Sequence, residues 1–387
     1  MGFAIQKTLS LLLLIVIGLL LKNKLKSKEH KQAVKTLILT IALPTVIFSA
    51  LMKLHVQSSL LVLPLLVMLF NLVFLVLLNF TLPWYGIKKG SAEMRTYMML
   101  IPSLAPGLSC FPFITEYLGE EALAKAALAD VGNKISVLFL SYMLAMHWFY
   151  KYNKQVKHNR KDKIKSLLLD MVNEPINLVM IGALTLLAFN VYMEDLPLFF
   201  QDSLSLLGNL MTPLILLFIG IAVIFNLPQF KSIGKLLVFR SGMTFCLSAL
   251  LIAIAPSMGN TAILLAVVFP QSACSFWPFA HISLVEMMGQ KQKEITGKET
   301  TPIFNGTLAT NILAFSLPFS TIIILSIFSV NQVFPLAFTN AANLLLIGLC
   351  FIGVSLLPRM YRLIVKKKNP LEVRKRRLLV AVRKREI

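Results

Sequence analysis

Ile101 to Tyr117 reads IPSLAPGLSCFPFITEY, and this stretch decides the fold. It lies in a run with the apolar character of a membrane span, yet Pro102, Pro106, Gly107 and Pro112 interrupt it. Proline removes a backbone donor and clashes with the preceding turn, which excludes one straight helix. Broken backbone is tolerated at membrane depth only where protein buries it or a wet cavity borders it. A second interrupted stretch, Phe269 to Phe279, reads FPQSACSFWPF. Its CSFWPF (Cys274 to Phe279) aligns with LSCFPF (Leu108 to Phe113) at the serine, the proline and the final phenylalanine. Two interrupted spans at corresponding places in two halves of a chain point to a transporter's binding site.

Composition fits a membrane setting. Of the 387 residues 57% are hydrophobic and only 14% charged, too few to clothe a soluble globule. The net charge of +21 would suggest nucleic acid in a soluble chain. Here the basic residues gather in short segments between apolar runs of about 20 residues, the length that crosses a bilayer. That pattern is membrane topology, and no nucleic-acid partner is expected. Cys110, Cys246, Cys274 and Cys350 show neither paired nor metal-ligand spacing. The apolar stretch from Leu9 to Leu21 is followed by five lysines rather than a cleavage site, so it reads as a first span and not a signal peptide. The chain contains no HExxH, G-x-S-x-G or phosphate loop. A non-enzyme without cofactor or metal is expected.

The apolar runs predict eleven helical spans and an all-α polytopic membrane protein, since runs such as LSLLLLIVIGLLL lack the alternation of barrel strands. Basic loops follow every odd-numbered span: the Lys22 to Lys31 cluster, then Lys88, Lys89 and Arg95, then Lys151 to Lys165, then Lys231, Lys235 and Arg240, then Lys291 to Lys298. Loops after even-numbered spans are neutral or acidic. The positive-inside rule therefore predicts a cell-membrane protein with its N-terminus outside and its C-terminus in the cytoplasm. Five spans per half would invert the second half relative to the first. Ser109 and Ser275 stand as far apart, to within three residues, as Pro44 and Pro213. The expected organisation is a five-helix repeat over residues 1–150, a basic cytoplasmic loop over 151–175 and a second, inverted repeat over 176–330. Spans four and nine are broken and crossing, an extra span covers 331–358, and a basic tail covers 359–387.

The run GEEALAKAALADVGN, Gly119 to Asn133, resembles the auxin efflux carrier family of permeases, in which a Gly-Glu-rich turn opens the fifth span ahead of an Asp-x-Gly-Asn motif. ALPTVIF in span two, NEPINLVMIGALTLL at span six and TPLILLFIGIAV in span seven are similar to the same family. The resemblance implies inverted five-span repeats, a scaffold with a mobile transport domain, and export of small organic anions such as auxins or malate. Pro106, Gly107 and Ser109 also resemble the bile-acid sodium symporter relatives. The function expected is secondary active transport of small organic anions by an elevator-like alternating-access mechanism, coupled to a proton or sodium. A sodium-coupled bile-acid-type symporter and a non-transporting sensor or receptor on the same fold are the alternatives.

Breaking two helices at the midplane exposes half-helix N-termini whose unpaired amides suit an anion. The candidate substrate-binding set is therefore Gly107, Ser109, Cys110, Phe111 and Pro112 on one break, with Gln271, Ser272, Ser275, Trp277 and Pro278 on the other. Pro112 and Pro278 are expected to create the breaks. Asp130 and Lys134 lie four apart on one helix face beside Asn133, either supporting span four and sensing protons or neutralising each other structurally. His281 is a fourth coupling candidate, or else a hydrogen-bonding partner for a neighbouring helix. The basic tail is a topology anchor or a helix on the anionic inner leaflet of the bilayer. A homodimer is compatible with this reading.

Overall fold

A computed structural model describes residues 3–25, 27–53, 62–152, 175–222, 227–296 and 302–368. Most of the basic loop expected at 151–175 and the tail beyond residue 368 lie outside the described residues. The described chain is helical throughout. It begins with α1 (Phe3–Leu21), then α2 (Lys28–Leu37) and α3 (Leu43–Met52) joined by a π turn at Ile38–Ala42, and α4 (Val62–Thr81). The first broken segment follows as α5 (Ala92–Leu100), α6 (Pro106–Ser109) and α7 (Phe111–Leu118). Next are α8 (Glu120–Ile135) and α9 (Ser141–Tyr152), joined by a second π turn at Ser136–Leu140. After α10 (Pro175–Ala188), α11 (Leu198–Asn209), α12 (Met211–Ala222) and α13 (Leu227–Ile254), the second broken segment is α14 (Asn260–Val268) and α15 (Phe276–Thr296). The series closes with α16 (Gly306–Val333) and α17 (Ala341–Lys368).

Among the described residues six helical segments, Val62–Tyr85 and Gly306–Val333 among them, are long and apolar enough to cross a membrane, and shorter apolar helices accompany them. The protein is an all-α polytopic membrane protein. Helix α4 shows why. Its inward stripe is Asn71, Phe74, Leu78 and Thr81, all buried, whereas Leu65, Leu69, Leu72, Val76 and Phe80 are 64%, 58%, 48%, 50% and 60% exposed. Both stripes follow helical spacing, and the outward one is apolar from Leu65 to Val76, with Asn79 exposed only near the helix end, a face that a lipid solvent favours.

The helices pack in two groups. In one, α1 lies along α12, and α3 packs on α10 and α11; in the other, α4 lies on α8, α9 on α15, α13 on α17, and α16 on α5 and α13. Helices α3 and α8 join the groups, as do α1 and α16. Without a hydrophobic drive between helices in lipid, packing relies on close backbone approach at small residues. A Cβ on Gly132 would lie 1.9 Å from the Pro64 carbonyl oxygen, so α8 can touch α4 only with glycine there. The same holds between α1 and α12, where a Cβ on Gly18 would lie 2.2 Å from the Leu217 carbonyl oxygen.

Buried apolar side chains form two clusters, and each broken segment passes from one to the other. Ile101 and Cys274 belong to one cluster, Leu104 and Phe269 to the other. The breaks therefore occupy a polar layer between two apolar ones. The charge pattern misplaces two cations: Arg95 and Arg240, assigned above to loops, are buried at 5% and 1% exposure. Arg95 is held by the carbonyls of Gly90 at 2.5 Å and Ile303 at 2.6 Å, the second too distant in sequence for a loop count to reveal it.

Gly132→Ala is expected to destabilise the protein by about 1–3 kcal/mol, because the new methyl meets backbone rather than a yielding side chain. Gly182→Ala on α10, where a Cβ meets nothing within 4 Å, should instead be neutral or stabilising. Melting temperatures of both variants in detergent check this contrast.

Candidate functional site

The two breaks meet. Ala105 and Ala273 form an isolated antiparallel bridge, with the Ala105 amide donating to the Ala273 carbonyl at 2.8 Å. Around this bridge side chains pair with the backbone of Ile101, Ser103, Leu104 and Ala105. The Asn133 carboxamide acts as a strand partner for Leu104, accepting from its N–H at 3.3 Å and donating to its carbonyl at 2.9 Å. Arg240 donates from Nε to the Ile101 carbonyl at 2.9 Å and from Nη2 to the Ser103 carbonyl at 3.3 Å. The Ser109 hydroxyl donates to the Ala105 carbonyl at 2.8 Å and accepts from the Ala273 N–H at 2.9 Å. On the second break, Ser275 N–H donates to the Ser103 hydroxyl at 2.9 Å and Cys274 N–H to the Ser316 hydroxyl at 3.2 Å.

The extended backbone lies ahead of Pro106, not at Pro112. Pro106 and Pro112 each stand in the first turn of a short helix, α6 and α7, and Pro278 stands in the first turn of α15. Proline suits that position because its missing N–H would have no partner there. These prolines therefore begin helices after the breaks, whereas the breaks themselves are held by the side chains just described.

A cavity of about 320 Å³ opens beside the crossing. Of the residues expected at a binding site, Gly107, Ser275, Trp277, Asp130, Asn133 and Lys134 line it. The others surround it at one remove. Ser109 is committed to the bridge. The Cys110 thiol lies 3.7 Å from the Val268 carbonyl, and Phe111 and Pro112 are buried. Gln271 donates to the Ser241 carbonyl at 3.2 Å and leaves its own buried carbonyl oxygen without a partner, while the Ser272 hydroxyl donates to Phe269 at 2.6 Å. Pro278 is buried, and His281 places Nε2 3.2 Å from the Val137 carbonyl, an acceptor that assigns the proton to that nitrogen.

The ionisable residues form a chain across the helix groups. Asn133 donates to Asp130 at 2.8 Å, Lys134 lies 3.8 Å from the second Asp130 oxygen, and the Lys134 ammonium donates to Asn177 of α10 at 2.9 Å. Asn71 of α4 extends the chain by donating to Asn133 at 3.3 Å. Sequence reading missed Lys35 on the cavity wall, Arg240 behind it, and the two π turns, whose Leu39 and Val137 also line it. Pro318 inside α16 lines the opposite wall. All three helices are thus irregular at cavity level, a common correlate of function for π turns. Pro318 alone carried a visible sequence signal.

No protein-family profile matches the chain. Over 220 residues, 56% of this chain and 67% of the relative, it is 25% identical to a protein from Methanocaldococcus jannaschii named Uncharacterized transporter MJ1031.

Asn133→Leu removes both partners of the Leu104 peptide, and Ser109→Ala removes the acceptor for Ala273 N–H. Each buried group left unpaired costs about 1–3 kcal/mol, so both variants should melt clearly below wild type, Asn133→Leu the lower. Pro112→Ala, at the start of α7, should change the melting temperature little. Equal melting of all three would show that the crossing is not held by these side chains.

Proposed function

We propose that the protein is a secondary active transporter that carries small organic anions across the cell membrane by alternating access. The observation that carries this reading is the excess of cation around a cavity at the crossing. Lys35 and Lys134 line the cavity and Arg240 lies behind it, against Asp130 as the one carboxylate of the cavity wall. Arg240 is 1% exposed and its described partners are carbonyl groups, so its charge is solvated but not neutralised. An uncompensated buried cation is costly, and an anion in the cavity lowers that cost. The archaeal relative's name, a transporter, agrees with this class of activity.

In this reading α1–α3 with α10–α12 form a scaffold, and the helices carrying the breaks move against it, elevator-like. The Lys134–Asn177 contact crosses between the two groups and would be remade in each cycle. The two groups draw on inverted repeats over residues 1–150 and 176–330, with residues 331–358 as an added span packed on α13. By the positive-inside rule the N-terminus is outside and the Lys35 end of the cavity faces the cytoplasm. Asp130, Asn133, Lys134 and His281 couple occupancy to movement, with a proton or sodium as the coupling ion.

Counterflow in proteoliposomes, run across a panel of aliphatic and aromatic carboxylates, tests the reading. Saturable exchange for at least one of them is expected. Folded protein that binds a carboxylate but exchanges none would make it a sensor on this fold.

A further inference from the structure

We propose that Lys35 reads the charge of the cavity's ligand, receiving a single carboxylate, and so selects monoanions with an apolar body over dianions. This inference rests on the organic-anion reading above and assigns its specificity to one residue. Lys35 stands on α2 immediately before the π turn and lines the cavity, half-buried. It makes no ion pair among the described residues. Its ammonium instead lies 5.4 Å from the ring centroid of Phe276, the first residue of α15, so the contact spans the two helix groups at the cavity wall. An aromatic face holds an ammonium less strongly than a charge-assisted hydrogen bond to carboxylate does. A ligand carboxylate therefore competes well for Lys35, whose flexible stem lets the ammonium follow it.

The other cations are already engaged. Lys134 is held by Asn177 and Asp130, and Arg240 sits off the cavity wall with its donors on the Ile101 and Ser103 carbonyls. A second carboxylate on the ligand would meet Asp130 with its partner Lys134 already engaged, or the apolar wall of Leu39, Ile176, Phe218 and Leu313. Like charge and desolvation both oppose it there. One uncommitted ammonium beside an apolar chamber thus fits one anionic group and an apolar remainder.

The test measures, in full-length protein, the affinities of benzoate and hexanoate, their neutral amides benzamide and hexanamide, and the dianion succinate. Wild type should prefer each acid over its amide by about tenfold or more, equivalent to about 1.4 kcal/mol, and bind succinate more weakly than hexanoate. Lys35→Gln should bring the acid-to-amide ratio close to one, while Lys35→Arg keeps it. The ratio is taken within one protein, so partial unfolding of a variant cancels. A ratio unchanged in Lys35→Gln, or succinate bound as tightly as hexanoate, overturns the role of Lys35 and leaves the organic-anion reading standing. Wild type with no preference for acid over amide, or with no binding of any probe, overturns both.

Discussion

Peptide groups outside a helix, buried in an apolar protein, must each find a partner, and the architecture of this protein follows from meeting that demand twice. Residues 102–105 and 272–275 leave helical geometry between two apolar clusters, where their N–H and C=O groups have lost their helical partners. They solve part of the problem for each other through the Ala105–Ala273 bridge. The remainder falls to Asn133, Arg240, Ser103, Ser109 and Ser316, each placed on a different helix or on the opposite break. Most of the buried polar residues near the crossing are therefore explained by backbone before any ligand is considered.

That assignment changes how the site is understood. Serines whose spacing suggests ligand donors also serve backbone groups, and a carboxamide that looks like a companion of Asp130 also clamps Leu104. The charged groups on the cavity wall are the Asp130–Lys134 pair and Lys35. The cavity itself exists because three helices are irregular at one level, α2–α3 and α8–α9 through π turns and α16 through Pro318. Each irregularity gives the wall a local departure from straight helix packing.

The breaks were legible because Pro and Gly act locally: Pro106 and Pro112, standing close together around Gly107, oppose one continuous helix whichever neighbours the fold supplies. Their role was less legible. Both prolines turned out to start helices, and the non-helical segment, with Pro102 in it, precedes Pro106. Arg240 shows the opposite limit. In FRSGMTF it reads as the last cation of a basic loop, and only carbonyls nearly 140 residues away, at Ile101 and Ser103, make it an interior residue. Lys35 is masked for the same reason, as one more lysine in a basic cluster near the membrane boundary. The π turns leave no compositional mark, since one wide turn within an apolar run changes backbone partners without changing the residues.

What the amino-acid order determined by itself was the solvent and the breaks. Hydropathy, charge alternation and the helix-disrupting residues are properties of short windows, and they define an all-α membrane chain interrupted twice at matching places. What only the tertiary structure decided was which polar groups are already spent. Hydrogen-bond satisfaction is a pairwise property of residues far apart in the chain. That Ser109, Asn133 and Arg240 serve backbone groups, and that Lys35 and the Asp130–Lys134 pair meet at the cavity, follows from three-dimensional proximity.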